Sequence, residues 1–147
     1  MGCGERVRTA LHILPKSQRK LAVFLINMDS ATKRLADMNA RLDALGLEAE
    51  RVPGVNGREL NYPIPEFSEL SYMLMHGRRT SPPEIGCYLS HVACASRFMD
   101  ADADIALILE DDVVFDGDFL DAIDEAVLNG RDWDILRLTT VSNGRKF

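Results

Sequence analysis

Three consecutive carboxylates, Glu110-Asp111-Asp112, follow the apolar run Ile105-Ala-Leu-Ile-Leu109. Packing explains such a trio poorly, because the charges repel one another and cannot all be buried unpaired. A hard divalent cation, Mg²⁺ or Mn²⁺, would relieve the repulsion and keep coordination positions for water or phosphate. Alternation along an extended segment points Glu110 and Asp112 one way and Asp111 the other. Glu110 and Asp112 are therefore the candidate metal ligands, with Asp111 directed toward a sugar or a structural partner. The competing reading is an acidic cap on the following turn.

Two further stretches bear on chemistry. Asn27 to Arg34 forms a strand-to-helix turn, where a helix N-terminus offers unpaired N–H groups to an anion and Lys33 and Arg34 add charge. A solvated basic first turn explains the same residues. No glycine-rich loop accompanies them, which excludes a P-loop and a dinucleotide fingerprint. Cys87, His91 and Cys94 share one side of a predicted helix, so zinc must be weighed. The set lacks a nearby fourth ligand and a paired short-spacing Cys motif, which favours core or substrate-pocket lining. Arg78-Arg79 could meet phosphates or lie in a solvated loop, and no nucleophile elbow supports a hydrolase.

These residues need elements to position them. Leu21 to Ile26 is a continuous apolar run suited to a strand buried on both faces. Ser30 is the expected N-cap of a helix carrying Leu35, Met38, Leu42 and Leu45, with Gly46 as its C-terminal signal. Glu50–Val55 reads as a short strand with Gly54 and Gly57 in the turn after it. A loop with a short helix over 68–75 follows, and then Ser81-Pro-Pro-Glu84 opens a helix running to about Met99. That helix is apolar on two sides, which predicts burial between layers. Ile105–Leu109 is another buried strand, Asp118–Leu128 a helix, and Trp133–Leu138 a third strong strand. Alternating strands and helices predict an α/β layer structure with a mostly parallel sheet, whose ligands bind beyond the carboxyl ends of the strands.

The 147 residues suit one domain, and a net charge of −6 argues against nucleic acid as a partner. The charge is unevenly spread. Residues 100–134 hold 13 acidic residues and one basic, a segment of −12, which leaves +6 for the rest. Residues 1–19 read as a basic lead-in outside the main sheet. They lack a signal-peptide apolar stretch, and Arg6 breaks a myristoylation motif beginning at Gly2. Cys87 and Cys94 stand too far apart along a helix for a disulfide, so free thiols and no secretion signal predict a reducing, cytoplasmic setting, and no apolar run is long enough to span a membrane.

Four stretches in order carry a family likeness: Val23-Phe-Leu-Ile-Asn-Met-Asp29, Arg51-Val-Pro-Gly-Val-Asn-Gly57, Glu84-Ile-Gly-Cys-Tyr-Leu-Ser-His91 and Ala106-Leu-Ile-Leu-Glu-Asp-Asp-Val113, extended by Trp133-Asp-Ile-Leu136. Together they resemble glycosyltransferase family 25, the group of lipooligosaccharide and collagen galactosyltransferases. The resemblance covers roughly residues 20–138, assigns residues 20–147 to one domain, and implies a GT-A-like, Rossmann-type nucleotide-sugar fold with a mostly parallel sheet. It implies transfer of a hexose, typically galactose, from a UDP-sugar to a glycan or glycolipid acceptor, assisted by Mn²⁺ or Mg²⁺ at Glu110 and Asp112. Asn27 and the Ser90-His91 pair then match nucleotide-contacting or pocket-shaping positions; Asp29, Lys33 and Arg34 complete the candidate cofactor-binding set, although relatives carry a basic pair directly after Asp29 where this chain has Ser30-Ala31, and His91 and Asp111 are the candidate catalytic groups. It further implies a cytoplasmic enzyme working at the inner membrane face by peripheral association. Relatives continue beyond the last predicted strand, so the part that finishes the sheet and builds the acceptor side is expected to be short or missing. An uncovered edge strand would favour a homodimer, and a non-catalytic sugar-nucleotide-binding module is the alternative function.

Overall fold

The computed structural model describes residues 9–115, 117–130 and 133–138. Residues 1–8 of the basic lead-in, with Gly2 and Cys3, lie outside the described residues.

The sheet is organised by its most apolar strand. β1 (Leu11–Ile13), β2 (Lys20–Asn27), β3 (Glu50–Pro53) and β4 (Ile105–Glu110) form one four-stranded sheet. β2 is parallel to β4 from Leu21↔Ile105 to Ile26↔Glu110, and parallel to β3 from Phe24↔Glu50 to Asn27↔Pro53. β1 is antiparallel to β2, with Leu11 opposite Ala22 and Ile13 opposite Lys20. Since β4 occupies one edge of β2 along nearly its whole length, β1 and β3 must share the other edge, end to end. The lead-in therefore does not stay outside the sheet. Residues 11–13 occupy the half of that edge that the four-residue β3 leaves open.

Alternation along β2 feeds two cores. Leu21, Val23 and Leu25 pack with Met38 and Leu42 of α1 (Thr32–Ala44) and Ile123 of α4 (Phe119–Asn129). On the opposite face Ala22 and Phe24, with Val52 of β3, meet Cys94 of α3 (Pro82–Asp100). Phe24, Leu21, Leu25, Met38 and Leu42 are all essentially inaccessible. Burial of a side chain of that size contributes about 1.5–3 kcal/mol.

Helix ends follow local chemistry. α1 closes in a Schellman arrangement: Gly46, at φ +68°, donates to the Asp43 carbonyl, and Leu47 donates to the Leu42 carbonyl. Its N-cap is Ala31 rather than Ser30, with no side-chain cap. Asn27 instead reaches forward and donates to the Ala31 carbonyl. α2 (Glu69–His76) is capped by Ser68 and ends at Gly77.

α3 opens with Pro82 and Pro83 in its first turn, and Glu84 accepts from the Ser81 N–H at 2.8 Å and from its hydroxyl at 2.9 Å. Arg78 is not a free phosphate ligand, because its guanidinium pairs with Glu84 and sits over the Tyr72 ring. Arg78 first, then Ser81, hold the Glu84 carboxyl well below its ordinary value of 4.5. A depressed carboxylate stabilises the fold above its unfolded pKa, and that contribution fades as pH falls below about 4.5. Glu84→Gln should therefore lower Tm at about pH 6 yet lose less Tm than the parent on acidification to about pH 3. Thermal melts at the two pH values check this.

Two sequence expectations change. α3 lies on one face of the sheet, not between layers. Its buried line is Ile85, Gly86, Ser90 and Cys94, while Tyr88, Val92 and Met99 point outward. Small residues permit the closest approach, and they, rather than the bulky apolar ones, select the packed face. Trp133–Leu138 is irregular rather than a strand, and Ile135 is 90% exposed. Apolar composition alone cannot make a strand, which needs a ladder partner; none of the described strands pairs with this run.

The acidic segment meets the basic lead-in. Lys16 pairs with Glu125 at 2.9 Å and Asp121 at 3.5 Å, Lys20 with Asp102 at 2.7 Å, and Arg19 with Asp104 at 3.8 Å. Asp124 is fully buried and accepts from the backbone N–H groups of Lys16 and Ser17 at 2.6 and 2.9 Å. Burial alone would raise its pKa, but hydrogen bonding at Ser17 and Lys16 holds it below the ordinary value. Much of the −12 thus serves tertiary structure, docking α4 on the turn before β2.

Candidate active site

β2 and β4 run parallel and in register, so their carboxyl ends, Asn27 and Glu110, arrive at the same edge of the sheet. An open cleft of about 300 Å³ lies there, lined among others by Arg34, Ser90, Glu110, Asp111 and Asp112. Its far wall is the Gly54–Gly57 loop leaving β3. Five of the nine sequence-predicted site residues thus share one cavity. Asn27 lies beneath the cleft, bonded to Asp111, Asp29 pairs with Arg51, His91 meets Glu110 from α3, and Lys33 projects from the exposed first turn of α1.

Asn27 organises the floor. It is 2% exposed, and its amide nitrogen donates to Asp111 Oδ2 at 2.6 Å as well as to the Ala31 carbonyl. Its Oδ1 accepts from Arg51 Nε at 3.0 Å, and its backbone carbonyl accepts from Arg51 Nη2 at 3.1 Å. Arg51 also pairs with Asp29. Every polar atom of the Asn27 side chain is thereby used, which is what burial demands. Arg51 is the residue that sequence reasoning missed; its signal was an arginine beside the buried Val52 in the short strand β3.

Of the acidic trio, Asp111 turns to protein partners. Its side chain is 10% exposed and pairs with Arg34 Nε at 3.3 Å in addition to Asn27. Arg34 therefore spans from α1 to the carboxylate turn. Glu110, about half exposed, accepts from the Cys87 thiol at 3.7 Å and lies 3.3 Å from His91 Nε2. Burial first, then the Glu110 charge, raise the Cys87 thiol above its ordinary value. Cys94 faces the core, where burial pushes its thiol up to about 11. The helix-face set expected from the sequence therefore divides: Cys87 and His91 reach the cleft rim, Cys94 does not, and Glu110 takes its place.

Ser90 sits at the junction of helix and loop. Its hydroxyl accepts from the Val55 N–H at 2.9 Å and donates to the Gly86 carbonyl at 2.7 Å. Beside it Gly57 and Gly86 bring two backbones into contact. A Cβ on Gly57 would lie 1.7 Å from the Pro82 carbonyl oxygen, and one on Gly86 would lie 2.3 Å from that of Val55. Glycine is required at both positions by close approach.

A divalent cation fits the oxygen ligands present. The three acidic residues do not converge as a cage; among the described residues, only Cys87, His91 and Glu110 bring three ligand atoms within 4.8 Å of one another. A cation that shares a diphosphate needs only one or two protein carboxylates. Glu110 and Asp112 both line the cleft and meet that requirement.

Comparison with known proteins shows the family. The chain is 33% identical over 101 residues to a "Glycosyltransferase 25 family member" of Drosophila pseudoobscura pseudoobscura, covering 64% of this chain and 16% of that protein. It is 30% identical over 141 residues to human "Procollagen galactosyltransferase 2", covering 84% of this chain and 22% of that one. A rat protein called "Probable inactive glycosyltransferase 25 family member 3" is 29% identical over 136 residues, or 84% of this chain and 24% of its own length. The chain thus spans a quarter or less of each of these relatives. No solved structure matches. The family described as "Glycosyltransferase family 25 (LPS biosynthesis protein)" matches residues 20–145, nearly the whole chain, and the chain belongs to it.

Proposed function

We propose that this chain forms the donor-binding part of a GT-A-type glycosyltransferase that moves a hexose, most simply galactose, from a UDP-sugar to a glycan acceptor. The observation that carries the reading is the meeting of two strand-end turns at one cleft. One turn brings Arg34 and the α1 N-terminus, the other Glu110 and Asp112. The names of the galactosyltransferase relatives support galactose, and the family description supports a lipopolysaccharide-type acceptor.

Glu110 and Asp112 would hold Mn²⁺ or Mg²⁺ against the diphosphate. A bound divalent cation there supplies positive charge that stabilises the departing UDP. Arg34 contributes the fixed charge of the protein itself, held in place by Asp111. Asp111 acts as a positioning residue, because its carboxylate is already engaged by Asn27 and Arg34. His91 is the nearest imidazole to the carboxylate turn and is the candidate to accept the acceptor hydroxyl proton. Ser90 shapes the cleft through the Val55 loop.

A second reading has its own support. One relative is named as inactive, which fits a sugar-nucleotide-binding module without turnover. Incubating the purified chain with UDP-galactose, Mn²⁺ and a glycan acceptor separates the two. Released UDP together with a galactosylated product supports transfer. Tight UDP binding without either product supports the module.

A further inference from the structure

The Cys87, His91 and Glu110 group is a better site for a borderline-soft cation than for the hard one invoked above. Cys87 and His91 are four residues apart on α3, so their side chains emerge as neighbours from one helical face. Glu110 arrives from the end of β4, which is fixed independently by its ladder with β2. Two rigid elements thus converge on one point, and all three ligand atoms lie within 4.8 Å of one another.

The two separations from Glu110 match the edges of a tetrahedral metal site. With Zn–S of about 2.3 Å and Zn–N and Zn–O of about 2.0–2.2 Å, tetrahedral edges are about 3.6 Å for S···O and about 3.4 Å for N···O. The observed values are 3.7 Å and 3.3 Å. Thiolate and imidazole ligands select zinc-like cations over magnesium or manganese. The side chains of His91 and Glu110 are 43% and 52% exposed, so a fourth position stays open to solvent.

We infer that Cys87, His91 and Glu110 form a zinc site with three protein ligands and one open position, at the rim of the cleft. On binding, the thiol proton of Cys87 passes to solvent, and the Sγ–Zn, Nε2–Zn and Oε1–Zn bonds replace the hydrogen bonds these atoms now share. The site uses Glu110, so its occupation withdraws that carboxylate from any cation shared with a diphosphate. Zinc is then an antagonist of Mn²⁺-dependent UDP binding, a consequence that rests on the proposed function, whereas the metal site does not.

Cobalt substitution tests the site directly. Co²⁺ added to the reduced chain should give a thiolate-to-cobalt charge-transfer band that zinc abolishes. Cys87→Ser should remove the band, with circular dichroism showing an intact fold, and His91→Ala should weaken zinc binding at least about 10- to 100-fold, the loss expected even for an outer-shell partner. Asp112→Asn should leave the band in place. Absence of the band in the folded parent, or its persistence in Cys87→Ser, would overturn the site. Mn²⁺-dependent UDP binding is read separately by titration, so failure of the zinc site and failure of the donor-site reading give different patterns.

Discussion

Gly86→Ala should destabilise the chain by about 1–3 kcal/mol or more and weaken UDP binding together. The added Cβ would stand 2.3 Å from the Val55 carbonyl oxygen and 2.8 Å from the Gly57 nitrogen. Both are backbone atoms of the loop that walls the cleft, and neither can swing aside as a flexible side chain would. The loop must lift off α3, which also stretches the 2.9 Å bond from the Val55 N–H to Ser90. Gly46→Ala is the control. Its Cβ meets open space, so only the left-handed backbone is strained, at about 1–2 kcal/mol, far from the cleft. Urea melts of both variants should show destabilisation, while titration with UDP should separate them, Gly86→Ala alone losing affinity.

Asn27→Ala should have a comparably large effect by a different route. It deletes the amide that joins Asp111 to Arg51 across the floor and leaves two charged groups short of a partner. Asp111 keeps Arg34 and Arg51 keeps Asp29, and each lost hydrogen bond to a charged group is worth about 1.5–3 kcal/mol, so a loss of about 2–5 kcal/mol is expected. Asn27→Asp is the informative companion. It keeps the acceptor toward Arg51 but places a second carboxylate against Asp111, so a melting temperature that rises on acidification near the carboxylate range should appear in that variant alone. Thermal melts across pH read this out.

The sheet and its order of elements were legible because β2 and β4 are continuous apolar runs ending in polar residues, a pattern with few structural solutions. The acidic turn stood out for the opposite reason, since packing explains three consecutive carboxylates poorly. The strand ends at Glu110 and all three line one cleft, within which Asp111 turns to Asn27 and Arg34 and Glu110 to α3. Three things were hidden. Leu11–Ile13 is too short to show a strand period, and its place depends on the half-edge left open by β3. The packed face of α3 is set by Gly86 and Ser90, residues that carry no hydrophobic signal. Arg51 and Asn27 are 24 residues apart, so their pairing exists only once β3 lies beside β2.

The charge arithmetic illustrates the same point. A −12 segment around the acidic turn suggests a cation site, yet its other carboxylates hold Lys16, Arg19 and Lys20 against the sheet and α4.

The most direct test of the donor site is calorimetric titration of UDP into the chain with and without Mn²⁺, for the parent, Glu110→Ala and Asp112→Ala. Binding should require Mn²⁺ in the parent and fall at least about 100-fold in each variant, about 2.7 kcal/mol. UDP binding that ignores Mn²⁺, and that both substitutions leave unchanged, would contradict the assignment of this cleft.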